Sequence, residues 1–435
     1  MKLSRLGVLI AGVAIVAAAC GGGASTEPSA PASAGASAGA SAAAPTKGKI
    51  VLMSDLPLEG ADLAGSDPVR KGIRLALAQA NNAAGGFEIV YDDSGNNSKD
   101  GKPNADQGAI NAQAMVQRPD VFAFVGPMNS GVAKTQIPIT NEAGLLQCSP
   151  ANTNPDLTKP PAALELRKAN PTKINYIRVA TTDDLQGPAN ASYGFTTLGA
   201  KNVFILDDTT VFGKGIADTF EVKWKELGGT VAGREGVPDN VTDYTSILTA
   251  AKATNPDSLY FGGLTSTGGP RLLNAAIQVG LDVPFIGSDG INDGPGSRKD
   301  SFLSTTGANA AKAYSSLAGK GSFPGKATFD EAYLALHGEA ATGYAYQGHA
   351  CTQIILDALN RVGDQFQANP DMNALRAAVA AAASDTTKTY DTVLGPVTFD
   401  ENGDTSQKVV SIYKVDTAAD SGKGDWVLAE EIEAG

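Results

Sequence analysis

The feature that most constrains this chain is an alternation of short apolar runs with amphipathic stretches, which begins near residue 49 and begins again near residue 202. Lys49 to Ser54, Phe87 to Tyr91, Val121 to Val125 and Leu145 to Cys148 read as strands that lack the strict polar–apolar alternation of a half-exposed sheet. Helical periodicity follows each of the first three. Asp67-Pro68 predicts a helix start, with Asp as cap, Pro in the first turn, and apolar residues at Val69, Ile73, Leu77 and Ala80. Gln107 to Val116 and Val132 to Ala143 repeat the pattern. The second series has strands at Asn202 to Leu206, Thr230 to Glu235, Ser258 to Phe261 and Phe285 to Gly287. Its helices fall at Lys214 to Leu227, Tyr244 to Ala253 and Gly269 to Val279. Strands buried on both faces, each followed by a helix, make parallel sheets. Further helices are expected at Thr328 to Ala335, Gly343 to Val362 and Asp371 to Ala383. A terminal hairpin is expected from Pro396 to Asp400, through Glu401-Asn402-Gly403-Asp404, to Val409 to Val415. The fold class expected is α/β, with two Rossmann-like lobes, parallel-rich central sheets, and a ligand crevice between the strand ends.

The N-terminus addresses location. Lys2 and Arg5 precede an apolar stretch, Leu6 to Val16, and then Ala17-Ala18-Ala19-Cys20. A basic start, a short apolar segment and small residues predict a secretory signal over residues 1–19. A cysteine directly after the small residues resembles a bacterial lipoprotein signal and marks Cys20 for lipidation. Residues 20–47 are almost entirely Gly, Ala, Ser, Pro and Thr. Such a segment cannot bury enough apolar surface to offset its conformational entropy, so it is expected to be a disordered tether. Fully extended it would reach on the order of 90 Å, at about 3.3 Å per residue. The expected location is extracytoplasmic, lipid-anchored to the cell membrane.

Gly48 to Gly435 is too long for one compact core. The formal charge of −12 becomes −14 once Lys2 and Arg5 are lost, which argues against a nucleic-acid partner and against binding anionic lipid by charge. The membrane contact expected is through the lipid alone. With Cys20 modified, Cys148 and Cys351 remain: a disulfide in an exported protein, or two buried thiols.

Catalytic motifs fail on context. Gly35-Ala36-Ser37-Ala38-Gly39 has the nucleophile-elbow spacing but lies in the tether. Gly213-Lys214-Gly215 lacks the third small residue of a dinucleotide site and follows Asp207-Asp208, which repels phosphate. His337 and His349 lack metal-like spacing to any partner. Asp92 to Asn96 has its Gly misplaced for a calcium loop. The expectation is no enzyme, no metal and no cofactor.

Several segments in order resemble solute-binding proteins of the branched-chain amino acid type, which serve ABC importers. Asn81-Asn82-Ala83-Ala84-Gly85-Gly86 stands at the end of the first helix. Gly126-Pro127-Met128-Asn129-Ser130-Gly131 is similar to the first binding loop, and Ser149-Pro150-Ala151-Asn152-Thr153-Asn154-Pro155-Asp156-Leu157-Thr158 to the second. Arg178 through Gln186-Gly187-Pro188 resembles the first interlobe crossing. Asp207-Asp208 with Phe212-Gly213-Lys214-Gly215, Asn255-Pro256-Asp257 with Phe261-Gly262-Gly263, Gly287-Ser288-Asp289-Gly290, and Phe399-Asp400-Glu401-Asn402-Gly403-Asp404 complete the series.

The resemblance implies a periplasmic binding protein fold of the first structural class with a three-crossing hinge. One lobe would be residues 48–178 plus 313–395, the other 179–312 plus 396–435. It also implies a monomer that captures a small amino acid or related polar solute and passes it to ABC permease subunits. A ligand-sensing receptor of the same fold is the alternative; an anchored hydrolase would need a nucleophile, base or metal. The implied ligand-binding residues are Ser130, Ala151, Asn152, Thr153, Phe212, Leu264 and Asp289. Residues matching Ser130, Ala151 and Thr153 hold the α-carboxylate and α-ammonium, and an acid at Asp289 caps the ammonium from the other lobe. Gly126 and Gly131 would let backbone approach the ligand. Three wall positions that are aromatic in the family fall near Gly65-Ser66, at Phe212, and at Leu264-Thr265. Only Phe212 is aromatic here, so the pocket is reshaped.

Overall fold

The computed structural model describes residues 45–434. The expected signal, Cys20 and nearly all of the tether lie outside the described residues. Among the described residues, no helix is long and apolar enough to cross a membrane.

The first sheet holds β1 (Lys49–Leu56), β2 (Ala83–Ala84), β3 (Phe87–Asn96), β4 (Val121–Val125), β5 (Leu146–Ser149) and β6 (Tyr176–Arg178), in the order β2-β3-β1-β4-β5-β6. All pairings in it are parallel except that of the short β2 with β3. The second sheet holds β7 (Asn202–Asp207), β8 (Thr230–Gly236), β9 (Ser258–Gly262), β10 (Phe285–Gly287), β11 (Ala313–Leu317), β12 (Val409–Asp416) and β13 (Asp425–Glu433). Their order is β8-β7-β9-β10-β11-β12-β13, parallel as far as β11 and antiparallel beyond it.

The unbroken apolar runs have a direct cause. Ile50 and Leu52 of β1 enter one core and Val51 and Met53 another, so successive side chains are buried on opposite faces. Phe204 and Leu206 of β7 likewise face away from Val203 and Ile205. Helices α1 (Asp62–Gln79), α2 (Ala105–Gln117) and α3 (Ser130–Ala143) belong to the first sheet, and α4 (Asp183–Ser192), α5 (Val211–Glu226), α6 (Thr245–Ala253) and α7 (Gly269–Gln278) to the second. The chain then returns: α8 (Lys326–His337), α9 (Ala345–Gly363) and α10 (Met372–Ala383) pack with the first sheet. Gly72 and Gly348 bring α1 and α9 together. A Cβ on Gly72 would stand 2.1 Å from the Ala345 carbonyl oxygen. Cys148 and Cys351 are joined, with Cα atoms 5.7 Å apart, tying α9 to β5.

Three details differ from the sequence reading. The strand Ala313–Leu317 hydrogen-bonds between Phe285–Gly287 and Val409–Asp416, so residues 313–317 belong with the second sheet rather than the first lobe. The expected hairpin does not form. Gly395–Val397 pairs back onto Tyr390–Thr392, while Val409–Asp416 pairs with Asp425–Glu433, a strand the periodicity did not reveal. The turn at 401–404 closes on a short stretch, with the bridge Phe399–Thr405, the Asp400 N–H donating to Asp404 O at 3.0 Å and the Ser406 N–H to Thr398 O at 2.9 Å. Lastly, α1 begins at Asp62, and Pro68 lies inside it. Proline lacks the N–H that would reach the carbonyl of Ala64. Arg298 Nη1, from the second lobe, donates to that carbonyl at 3.2 Å, so the helix continues through the proline.

The chain passes between the sheets three times, after β6, after β11 and before β12. Thr181 touches all three crossings. Its N–H donates to Ala318 O at 3.0 Å, and its hydroxyl lies 3.0 Å from the carbonyl oxygens of both Gln407 and Val409. Beside it, the wholly buried Arg178 donates to Asp404 Oδ1 at 2.6 Å, Asn154 O at 2.8 Å and Thr158 Oγ1 at 2.5 Å.

Candidate functional site

In both sheets the strand order reverses beside the first strand, so the loops leaving neighbouring strand ends diverge and open a crevice. The two crevices face each other. Pro57, Ala61, Asp62, Gly65 and Ser66 come after β1, Met128, Asn129 and Ser130 after β4, and Ala151 after β5. The opposite wall carries Phe212 after β7, Leu264 and Thr265 after β9, and Asp289, Gly290, Asn292 and Asp293 after β10. Gly343 and Tyr344, at the start of α9, complete it. The cavity of about 60 Å³ has room for several waters or a small solute.

Five of the seven residues predicted to bind ligand meet here: Ser130, Ala151, Phe212, Leu264 and Asp289. Asn152 and Thr153 do not line the crevice. Their loop turns back toward the crossing: Asn152 Oδ1 accepts from Tyr176 Oη at 2.9 Å, its carbonyl from Arg178 at 3.2 Å, and the Thr153 carbonyl from the Asp183 N–H at 2.8 Å. Both are buried behind the wall. Gly126 and Gly131 also serve packing. At φ 136° Gly126 runs so close to β1 that a Cβ would lie 2.4 Å from Asp55 O, while a Cβ on Gly131 would sit 3.9 Å from Val211. The histidines are likewise structural: His349 Nε2 pairs with Gln79 Oε1 at 2.8 Å, and His337 Nε2 with Lys71 O at 2.9 Å.

Ser130 opens α3, where unpaired backbone N–H groups favour negative charge. Among the described residues, the adjacent Asn129 makes no side-chain cap and its buried Oδ1 has no partner. Ser66 Oγ, wholly buried, has none either. Buried polar atoms without partners are costly, and an occupant of the cavity would supply them.

Asp289 faces Ser130 from the other wall and is held on both sides. Tyr344 Oη donates to Oδ2 at 2.6 Å and Gln186 Nε2 to Oδ1 at 3.0 Å. Gln186 also accepts from Ser316 Oγ at 2.9 Å, which ties the acid to β11 at the crossing. Burial pushes the Asp289 carboxyl up to about 6 despite these bonds. Burial raises Asp62 and Asp293 to about 7, and raises Asp183, with the Asp289 charge adding to it, to about 8. Asp208, under the floor, is raised by burial as well. Among the described residues, no Lys, Arg or His lines the crevice. The site therefore has one end suited to an anion and a wall of carboxylates short of positive charge.

The sequence reading missed Asp62, Gln186, Asp293 and Tyr344. Tyr344 was visible only as a helix start. Asp62 carries no signal of its own in the sequence, where Asp67-Pro68 predicts the helix start five residues later. Among the described residues, no group of three or more His, Cys, Asp or Glu is placed to hold a metal.

Contacts across the crevice draw the walls together. Asn154 Nδ2 donates to Val211 O at 3.1 Å, Lys102 Nζ to Asp239 Oδ2 at 3.0 Å, and Arg298 Nη2 to Glu339 at 3.3 Å.

The chain is similar over most of its length to curated proteins. It is 27% identical to the Leu/Ile/Val-binding protein BraC3 of Rhizobium johnstonii, covering 82% of this chain and 89% of that one. It is 29% identical to Leu/Ile/Val-binding protein homolog 2 of Brucella abortus, covering 80% and 86%. In fold it matches the leucine binding protein LivK of Thermotoga maritima with a TM-score of 0.74 at 23% identity, covering 88% of this chain and 99% of that one. A solute binding protein of Rhodopseudomonas palustris, solved with 3,4-dihydroxybenzoic acid, matches with a TM-score of 0.70 at 18% identity, covering 89% and 98%. The profile described as periplasmic binding protein spans residues 56–423. With two sheets joined by three crossings and a crevice at their facing strand ends, the chain belongs to the periplasmic binding protein family, whose members bind solutes outside the cytoplasm and are not enzymes.

Proposed function

We propose that this protein captures an α-amino acid between its lobes and presents it to an ABC permease. The observation that carries the reading is the opposition of Ser130, at the start of α3, to Asp289 across the crevice. A carboxylate at the helix start and an ammonium on Asp289 would satisfy both walls with charge-assisted hydrogen bonds. The similarity to Leu/Ile/Val-binding proteins supports the same class. An aromatic acid like that held by the Rhodopseudomonas protein fits less well, because it brings a negative charge and no ammonium to a wall of buried carboxylates. The walls would close on a ligand bound first to one lobe, and the closed surface would tell a permease that the protein is loaded. Cys20, with its tether, would hold the protein at the membrane.

A thermal-shift screen of amino acids, short amides and aromatic acids tests this. An amino acid at a hundred times its dissociation constant is expected to add about 2.7 kcal/mol of stability. A shift confined to aromatic acids or amides would replace the reading.

A further inference from the structure

An ordinary zwitterion leaves two of the lining carboxylates without positive charge. Asp289 faces Ser130 and takes the ammonium; Asp62 and Asp293 remain. Asp293 is 8% exposed; the Phe302 N–H donates to it, at 2.9 Å from Oδ1 and 3.2 Å from Oδ2, and Thr265 stands beside it, so its contacts are with neutral groups. Asp62 Oδ2 is shielded from solvent and accepts no hydrogen bond among the described residues.

The wall is open above these acids. At Gly65 a Cβ would have only one neighbour within contact range, the Cβ of Asp293 at 4.0 Å. The absent side chain leaves a path to the Asp293 carboxylate. Ser66 Oγ, wholly buried and lining the same space, has no partner among the described residues.

The basic side chains nearby are engaged elsewhere. Lys102, on the adjoining groove, is held by Asp239, and Arg298 by Ala64 O and Glu339. A buried carboxylate, Asp293, and a half-buried one, Asp62, neither with a counter-ion, are costly, and an apolar side chain laid against them would leave that cost in place. Burial raising both acids to about 7 agrees with this lack of positive charge.

We infer that the ligand is an α-amino acid whose side chain carries its own cation, ammonium or guanidinium, seated between Asp62 and Asp293. The inference rests on the amino acid reading of the same crevice. It assigns Asp62 and Asp293 as specificity residues, with Ser66 as a hydrogen-bonding partner and Gly65 as the opening that admits the longer side chain.

Calorimetric titration of the purified full chain at pH 8 with L-ornithine, L-arginine, L-leucine and 4-hydroxybenzoate tests it. The cationic amino acids are expected to bind at least a hundredfold more tightly than leucine. Asp62→Asn and Asp293→Asn should each weaken ornithine binding at least tenfold, while Asp391→Asn, an exposed acid, should leave it unchanged. Leucine binding as tightly as ornithine overturns the inference and leaves the amino acid reading standing. Binding of 4-hydroxybenzoate alone, or of nothing, overturns both. If Asp293→Asn does not fold, the wild-type ranking and Asp62→Asn decide; ornithine affinity retained in Asp62→Asn counts against the inference.

Discussion

The two walls of the crevice are built from the same α/β unit, yet they offer opposite chemistry. The first lobe presents the start of α3, with Ser130, Asn129 and Ser66 as neutral polar groups, and one acid, Asp62. The second presents Asp289 and Asp293 beside Phe212 and Leu264. A helix start favours negative charge and a carboxylate favours positive charge, so the pair sets a direction for any ligand that carries both. The lobes differ in fastening as well. The first has a disulfide between β5 and α9, while the second continues its sheet through antiparallel β12 and β13. The asymmetry that orients a ligand is therefore carried by loops, on two frames that resemble each other.

Several substitutions would break or sharpen this contrast. The largest effect is expected where the frames meet. Arg178→Met would leave Asp404, 6% exposed, without its cation, and should cost about 3–5 kcal/mol in chemical denaturation. A loss under 1 kcal/mol would show that the junction does not depend on the pair. Next come the walls. Asp289→Ala should weaken amino acid binding by more than tenfold, or more than about 1.4 kcal/mol. Ser130→Ala should cost less, about 1 kcal/mol, because the backbone of α3 remains. Equal losses in titrations of the two variants would mean that the walls are not chemically distinct.

The smallest effect is a pH slope. Asp62, Asp293 and Asp183 have folded values, about 7, 7 and 8, above the ordinary 3.8. The folded chain therefore holds more protons than the unfolded chain in that window, and their contribution to stability is lost as pH rises. His337 and His349, both lowered by burial, act in the opposite sense, but only below about 6.5. Carboxylates whose values are lowered, such as Asp67 by Lys71 and Arg70 and Asp92 by Ser94 and Arg118, act only in acid. The ligand-free protein should thus melt lower at pH 8.5 than at pH 6.5, and a saturating cationic ligand should flatten that slope. A melting temperature that rises across this interval would count against buried, unpaired acids.

The frames were legible because burial on both faces of a parallel sheet leaves uninterrupted apolar runs, as in Val121–Val125 and Ser258–Gly262. The strand-end loops were legible through Gly126 to Gly131 and Gly287 to Gly290, although Gly126 answers to the Asp55 carbonyl and not to a ligand. What stayed hidden depends on distant partners. Pro68 sits inside α1 because Arg298, on the other lobe, takes the carbonyl that proline leaves free. That continuation carries Asp62 into the crevice. Tyr344 joins the site only by reaching Asp289 across the lobes, and Gln186 by bridging Asp289 to Ser316. Asn152 and Thr153 share a loop with Ala151, but Tyr176, Arg178 and Asp183 draw them behind the wall. Local pattern does not record such pairings.

A crystal structure of the protein bound to the amino acid that stabilises it most would test the central claim directly. The account predicts the α-ammonium within hydrogen-bonding distance of an Asp289 carboxylate oxygen and the α-carboxylate at the Ser130 end of α3. A ligand lying in the reverse direction, or bound outside the crevice, would contradict it.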